Sequence, residues 1–219
     1  MQKVHHGQYL TVFLLITACS VLLPACAFTD RHVSLAPPQT IPQLAVAASP
    51  AQPGKVVSVA RPQDLRPDPT TVGNIRNGYG MVTAQVRSNN DVALWVTNSL
   101  VTGLEQAGYR VERAETVETT QTPLAIDVGV SRVFTEYVPG FFTISGKADI
   151  AAQIEIYKQG QRVLRRVYTG KYENTNLVVA TSASEYQALL NEAMKDFLQK
   201  AIPDLTAVLD KTIATAQRE

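Results

Sequence analysis

From Phe142 to Ile156 the chain alternates so regularly that one local geometry suits it. Phe142, Ile144, Ala148, Ile150, Ala152, Ile154 and Ile156 fall on one side of a two-residue period; Thr143, Ser145, Lys147, Asp149, Gln153 and Glu155 fall on the other. Successive side chains of a strand point to opposite faces, so this run is a long strand with one buried and one wet face. Leu124, Ile126, Val128 and Val130 alternate with Ala125, Asp127, Gly129 and Ser131 in the same way. Lys158-Gln159-Gly160-Gln161 turns the long strand into a further one from Arg162 to Tyr172, completing an antiparallel meander.

A sheet that is apolar on one side has to cover that side. Two segments have the spacing to do so. Asn89-Asn90-Asp91 supplies N-cap chemistry for a helix running to about Ala107 and ended by Gly108, with Val92, Trp95, Val96, Leu100 and Leu104 on one face. Trp95 is read there as core. Ser182 and Glu185 have capping-box spacing, and Tyr186, Leu189, Leu190, Ala193, Met194, Phe197, Leu198, Ala201 and Ile202 form a wide apolar stripe after them. Pro203 is expected to kink or interrupt that helix, with Leu205, Val208, Leu209 and Ile213 in a second segment. Lys55 to Ala60 reads as a short strand closed by Arg61-Pro62, and Tyr109-Arg110-Val111 as a strand returning parallel to it. Between them, Pro67, Pro69, Gly73, Asn77-Gly78 and Gly80 read as loop, followed by a short extended piece at Met81 to Val86. The expected fold class is α+β: a two-layer sandwich with a mixed, mostly antiparallel sheet and two amphipathic helices on one face.

Upstream of this single domain, residues 54–219, lie two segments of different character. Tyr9 to Leu23 is an apolar run preceded by Lys3 and followed by small residues and a cysteine, which is signal-peptide anatomy over 1–25. The run falls short of the roughly 20 apolar residues of a permanent spanning helix. Leu23-Pro24-Ala25-Cys26 resembles a bacterial lipobox; the alternative, Ile16-Thr17-Ala18-Cys19, would strand Val21-Leu22-Leu23 in the mature chain. Cys26 is therefore the expected lipidation site and Cys19 the alternative. Several acyl chains on one cysteine give stable membrane anchoring where one chain would be marginal. Pro37-Pro38, Pro42, Pro50 and Pro53, set among Ala, Gln, Ser and Thr, make 26–53 read as a flexible tether that holds the domain off the bilayer. The residue after the cysteine is Ala27, or Ser20 on the alternative. By resemblance to lipoproteins of enteric-type bacteria, the lack of aspartate there implies the outer membrane, facing the periplasm.

Composition closes off several chemistries. No cysteine follows Cys26, so the folded domain has no internal disulfide framework. His5 and His6 leave with the leader, and His32 stays behind in a Pro-rich stretch. Serine–histidine and cysteine–histidine nucleophile systems and histidine- or cysteine-built zinc sites are thereby excluded. The formal net charge of +1 falls to about zero without Lys3, which removes the electrostatic case for nucleic acid. No metal and no cofactor are expected.

The leader with its cysteine, the helix end Glu105-Gln106-Ala107-Gly108-Tyr109 and the segment Gly146-Lys147-Ala148-Asp149-Ile150-Ala151 resemble the YajG-type family of bacterial lipoproteins over about residues 80–200. The linker and the hairpin from Tyr137 to Phe142 depart from that pattern. The resemblance implies a small outer-membrane lipoprotein of undefined molecular activity, and brings no catalytic residues with it.

Three groups of residues invite a functional reading. Asp127, Asp149 and Glu155 sit on strands, where paired carboxylates could in principle cleave glycosidic bonds, but their parity places them on the wet face with nothing to shift their pKa values. Arg162, Arg165, Arg166 and Lys171, with Lys158 and Lys147 nearby, are the one local concentration of positive charge. They read either as a site for lipid phosphates, lipopolysaccharide or an acidic partner, or as an edge strand protected by charge. Tyr137-Val138-Pro139-Gly140-Phe141-Phe142 is a turn bracketed by apolar residues. Val138 and Phe141 are either a contact point for a partner or membrane, or the covered end of the sheet. Asp64 and Asp68 are read as turn formers, and Gly78-Tyr79-Gly80 is too short for a nucleotide loop. The functional expectation is a non-enzymatic envelope lipoprotein that binds a partner. The alternatives are a lipid- or glycolipid-binding auxiliary lipoprotein of an envelope transport system and, less favoured, an enzyme acting on cell-wall material.

Overall fold

The computed structural model describes residues 29–38, 55–120, 122–139, 144–177 and 182–216. In chain order the described residues form β1 (Arg31–Val33), β2 (Val56–Ala60), β3 (Gln63–Asp64), β4 (Thr71–Arg76), β5 (Val82–Ser88), α1 (Val92–Gln106), β6 (Arg110–Ala114), β7 (Leu124–Pro139), β8 (Ile144–Lys158), β9 (Gln161–Leu177) and α2 (Ala183–Ala216). The sheet is built on β7. Along one edge β8 pairs with it antiparallel from Leu124↔Lys158 to Pro139↔Ile144, and β9 pairs antiparallel with β8 in turn. Along the other edge, β2, β3 and β4 lie end to end and all run parallel to β7, through Ser58↔Ala125, Gln63↔Gly129 and Gly73↔Thr135. Beyond β2 lies β6, parallel; beyond β4 lies β5, antiparallel; beyond β5 lies β1, parallel. The fold is α+β, with a mixed, open sheet and two helices.

The alternating residues do what their period requires. Ile150, Ala152, Ile154 and Ile156 of β8 and Ile126, Val128 and Val130 of β7 are buried, and the apolar faces of both helices close over them. Helix α1 starts where Asp91 accepts a hydrogen bond from the Leu94 amide at 2.9 Å. It stops at Gly108, whose φ of 89° suits glycine and lets the Tyr109 amide bond back to Leu104. Ahead of α2, the Glu185 carboxylate accepts from the Ser182 amide at 2.9 Å, the reach-back half of a capping box.

Helix and sheet meet closely at Gly170 of β9. A Cβ there would lie 2.1 Å from the Ala193 carbonyl oxygen and 2.6 Å from the Phe197 Cβ, so the backbone of α2 rests on a position with no side chain. Two tyrosines fasten the same helix: Tyr168 of β9 donates to Asp204, and Tyr109, just before β6, donates to Asp210. Lys55 completes the second contact, 2.9 Å from Asp210.

The architecture departs from the sequence reading in three places. The stretch read as loop before Met81 contains β3 and β4. Its proline breaks hide any two-residue period; Arg66 holds the turn instead, bonding Asp64 through Nε and Nη2 at 2.9 and 2.7 Å and the Thr71 carbonyl at 3.2 Å. Gly73 lets β4 approach β7, because a Cβ there would meet the Thr135 carbonyl at 2.1 Å. Secondly, α2 is one helix of 34 residues that runs through Pro203. The proline ring is exposed, and its cost is the lost bond to the Gln199 carbonyl. Thirdly, the reading of 26–53 as tether does not extend to residues 31–36. Arg31 to Val33 pair with Val86 to Ser88, Val33 and Leu35 are buried, and Trp95 donates its indole N–H to the Ala36 carbonyl at 2.9 Å. A three-residue strand beside prolines carries too little pattern to be read alone; it orders because β5 offers it an open edge.

Candidate functional site

The positive concentration on β9 meets its counter-charges across the sheet. Register puts Arg165 beside Glu155 and Glu155 beside Asp127, a row running over β9, β8 and β7. Glu155 accepts from Arg165 Nε at 3.2 Å, Arg162 Nη1 at 3.2 Å, Tyr157 Oη at 2.5 Å and Gln153 Nε2 at 2.9 Å. Burial pushes this carboxyl up, but the bonds from Tyr157 and Arg162 and the charges of both arginines outweigh it and hold Glu155 below the usual carboxylate range. Arg166 faces the other way, toward α2, and pairs with Asp204. The three arginines therefore belong to two separate networks on opposite faces. Further along the outer face Arg132 pairs with Asp149 at 3.4 Å and Lys147 with Glu173 at 3.0 Å.

The parity of Asp127 and Glu155 is as expected, but their exposure is not. Glu155 is only 8% exposed, covered by the side chains that donate to it. Burial raises the Asp127 carboxyl above its ordinary value, opposed by the Val128 amide and reinforced by the charges of Glu155 and Glu118. A wet-face position can thus be dry where long neighbours fold over it, which alternation does not reveal. Asp64 and Asp68 act as turn formers: Asp68 accepts from the Thr70 and Thr71 amides at 2.8 and 3.2 Å. Among the described residues no group of three or more His, Cys, Asp or Glu could hold a metal ion.

At the β7–β8 end, Tyr137 points inward and packs edge-on against Tyr186 of α2 with ring centroids 4.8 Å apart, while Val138 points outward and is 36% exposed. Phe141, like Cys19 and Cys26, lies outside the described residues. Next to Val138 stands a feature that sequence reading passed over: the β4–β5 hairpin carries Tyr79 at 90%, Met81 at 59% and Val82 at 49% exposure. Asn77-Gly78 before an aromatic was the available signal, since that pair favours tight hairpins.

Among the described residues, two cavities lie at the rim of the sandwich. One, of ≈ 360 Å³, opens at the ends of β2 and β6 beside Leu94, Asn98 and Arg113 of the neighbouring surface. The other, of ≈ 550 Å³, sits between the β8–β9 turn and the last turns of α2, near Val163, Val208 and Lys211. Both are shallow and open, and Arg113 already donates to Asn98 at 2.6 Å.

The model of a family described as uncharacterized lipoprotein matches residues 42–207. No curated protein matches the sequence. Among solved structures, a Xanthomonas campestris protein of the DUF330 family model is 14% identical with a TM-score of 0.45, covering 86% of this chain and 97% of that one. A minor lipoprotein from Acinetobacter baumannii is 12% identical with a TM-score of 0.41, covering 70% and 94%. A lipoprotein from Neisseria meningitidis is 14% identical with a TM-score of 0.35, covering 73% and 98%. Among the described residues no helix is long and apolar enough to cross a membrane.

Proposed function

This chain belongs to a family of uncharacterized lipoproteins, and on that premise we propose that it is a lipid-anchored, periplasm-facing accessory protein of the cell envelope that acts by binding a partner. Cys26 carries the acyl chains in this reading, and the outer membrane holds them, because Ala27 and not aspartate follows the cysteine. The observation that carries the binding reading is how fully three carboxylates are occupied by donors of the chain itself. Glu155 receives four donors, Asp204 two and Asp210 two. A general acid or base must reach a substrate proton with a free oxygen, and these carboxylates spend theirs on neighbours. A lipid-carrying role calls for an apolar cavity between helices and sheet; among the described residues, the buried side chains of α1 and α2 pack into the core cluster of the sheet.

Two experiments test this. Replacing Cys26 by serine should stop acyl labelling and release the protein into the soluble periplasmic fraction; loss of labelling in Cys19→Ser, with Cys26→Ser still labelled, would move the anchor. Crosslinking in intact cells with mass-spectrometric identification should then return a recurrent protein adduct to the domain. Adducts to lipid alone would favour the lipid-binding alternative, and turnover of cell-wall fragments by the purified protein would overturn both.

A further inference from the structure

The hairpin tip between β4 and β5 is an ordered structure that holds apolar side chains in solvent. Asn77 Oδ1 accepts from the Tyr79 and Met81 amides at 3.0 and 3.1 Å, the Asn77 amide donates to the Met81 carbonyl at 3.0 Å, and Gly80 takes the φ of 79° that closes the turn. Arg76 ties the tip to the body of the sheet, bonding the Gly80 carbonyl at 2.9 Å and Glu136 of β7 at 2.9 Å. Scattered exposed apolar residues are ordinary. Here Tyr79, Met81 and Val82 are consecutive or nearly so, and strand register adds Val138: Arg76 pairs with Val82, and β4 and β7 run parallel from Asn74↔Glu136 toward Arg76 and Val138. Among the described residues, this end of the sheet therefore gathers Tyr79, Met81, Val82 and Val138, while Leu65, Leu94, Val163 and Val167 are exposed elsewhere.

The direction of β1 says what lies at that end. It runs parallel to β5 with Arg31 opposite Val86, so the chain traced back from Arg31 heads toward Val82 and the tip. Its entry is pinned, since Asp30 accepts from the Gln85 amide at 2.8 Å and from Arg87 Nε at 2.8 Å. Cys26 stands three residues before Thr29 in the sequence, a stretch that spans at most about 11 Å even when fully extended. An acylated cysteine must keep its chains in the bilayer. We propose that the anchored protein rests its β4–β5 end on the membrane surface, with Tyr79, Met81 and Val82 in the lipid headgroup region. The proposal rests on acylation of Cys26, the anchoring reading above. Tyrosine, apolar in body and polar at the tip, suits that interface. In this arrangement the domain sits close on the bilayer, and the long proline-rich stretch lies between β1 and β2, where it cannot lift the domain away.

The test uses the mature lipoprotein, extracted from membranes and reconstituted into phosphatidylethanolamine–phosphatidylglycerol vesicles with and without brominated acyl chains. Tyr79→Trp is compared with Val163→Trp, a position at the far end of the sheet that is also exposed, at 45% against 90%, over the baseline of buried Trp95. The expected result is a blue shift and about twofold or greater quenching by brominated lipid for Tyr79→Trp, as for a side chain entering the headgroup boundary, and neither change for Val163→Trp. A photoreactive residue at 81 should crosslink lipid in cells. Flotation of the wild type with vesicles while Tyr79→Trp stays unquenched overturns the orientation and leaves the anchor standing. Absence of acylation and of flotation overturns both. A protein adduct in place of lipid at position 81 assigns the tip to a protein partner and overturns the proposal.

Discussion

At the scale of single residues, two buried polar groups on different elements make opposite demands. Asp127 pays for its half-buried site with a carboxyl pushed above its ordinary value, chiefly by burial. A folded-state value raised above the unfolded one means that the ionised form is disfavoured by folding: the penalty is fully present above the folded value and absent below the unfolded one. Asp127→Asn, which keeps an oxygen for the Val128 amide, should therefore raise the melting temperature at pH 7, with the gain shrinking as the pH falls through the folded value of Asp127. A gain independent of pH would show that charge is not the cause. Thr97 is the simpler case, for its Oγ1 is buried on α1 without a hydrogen-bond partner. Removing an unsatisfied buried hydroxyl with an isosteric methyl is neutral or favourable, so Thr97→Val should keep or raise stability by up to about 1 kcal/mol. Denaturant melts of the two proteins decide it, and a clear loss would mean that the hydroxyl is satisfied in solution.

At the scale of elements, the contact between β9 and α2 is set by Gly170. Its neighbours in the cross-strand direction are ordinary strand residues, but the helix backbone leaves no room for a methyl: the Ala193 carbonyl would be 2.1 Å away. Gly170→Ala has to push the helix off the sheet, and overpacking of this kind costs about 1–3 kcal/mol. The loss should appear as a lower denaturation midpoint with an unchanged slope. Gly78→Ala is the matched control, since a Cβ there meets nothing within 4 Å. Equal effects at the two positions would count against the close approach. The same element view explains why the arginines of β9 separate. A strand sends alternate residues to opposite faces, and the irregularity between Ile156 and Tyr157 resets the pairing so that Arg162 joins Arg165 at Glu155 while Arg166 turns to Asp204.

At the scale of the whole molecule, β1 changes what the N-terminal segment is for. Burying Val33 and Leu35 contributes about 3–6 kcal/mol on ordinary side-chain transfer values. Trp95 would in addition lose its partner at Ala36. A chain beginning near Gly54 is therefore expected to melt on the order of 10 °C below the mature chain, given roughly 2–4 °C per kcal/mol for a protein of this size. An unchanged melting temperature would mean that β1 adds nothing to the domain.

The long alternating runs, the two capped amphipathic helices and the α+β class were legible because each rests on a local rule: a period of two, a period of 3.6, or a cap within four residues. Asp91, Gly108, Ser182 and Glu185 carry that information in their own neighbourhood. So does the absence of histidine and cysteine from the segment beyond His32, which removes whole classes of chemistry whatever the fold. Neither β1 nor β3 has such a rule, and β4 has only the Asn77-Gly78 turn that joins it to β5. β1 and β3 are strands because β5 and β7 present open edges to them, and a pairing partner more than 50 residues away leaves no mark on a short polar or proline-flanked stretch. The fate of the charges was likewise decided by tertiary register, since Glu155 and Arg165 become neighbours only once β8 and β9 align. Only the assembled sheet brings the N-terminal entry strand and the exposed Tyr79 hairpin to one end, because the direction in which a strand pairs is a property of two segments together and is written in neither alone.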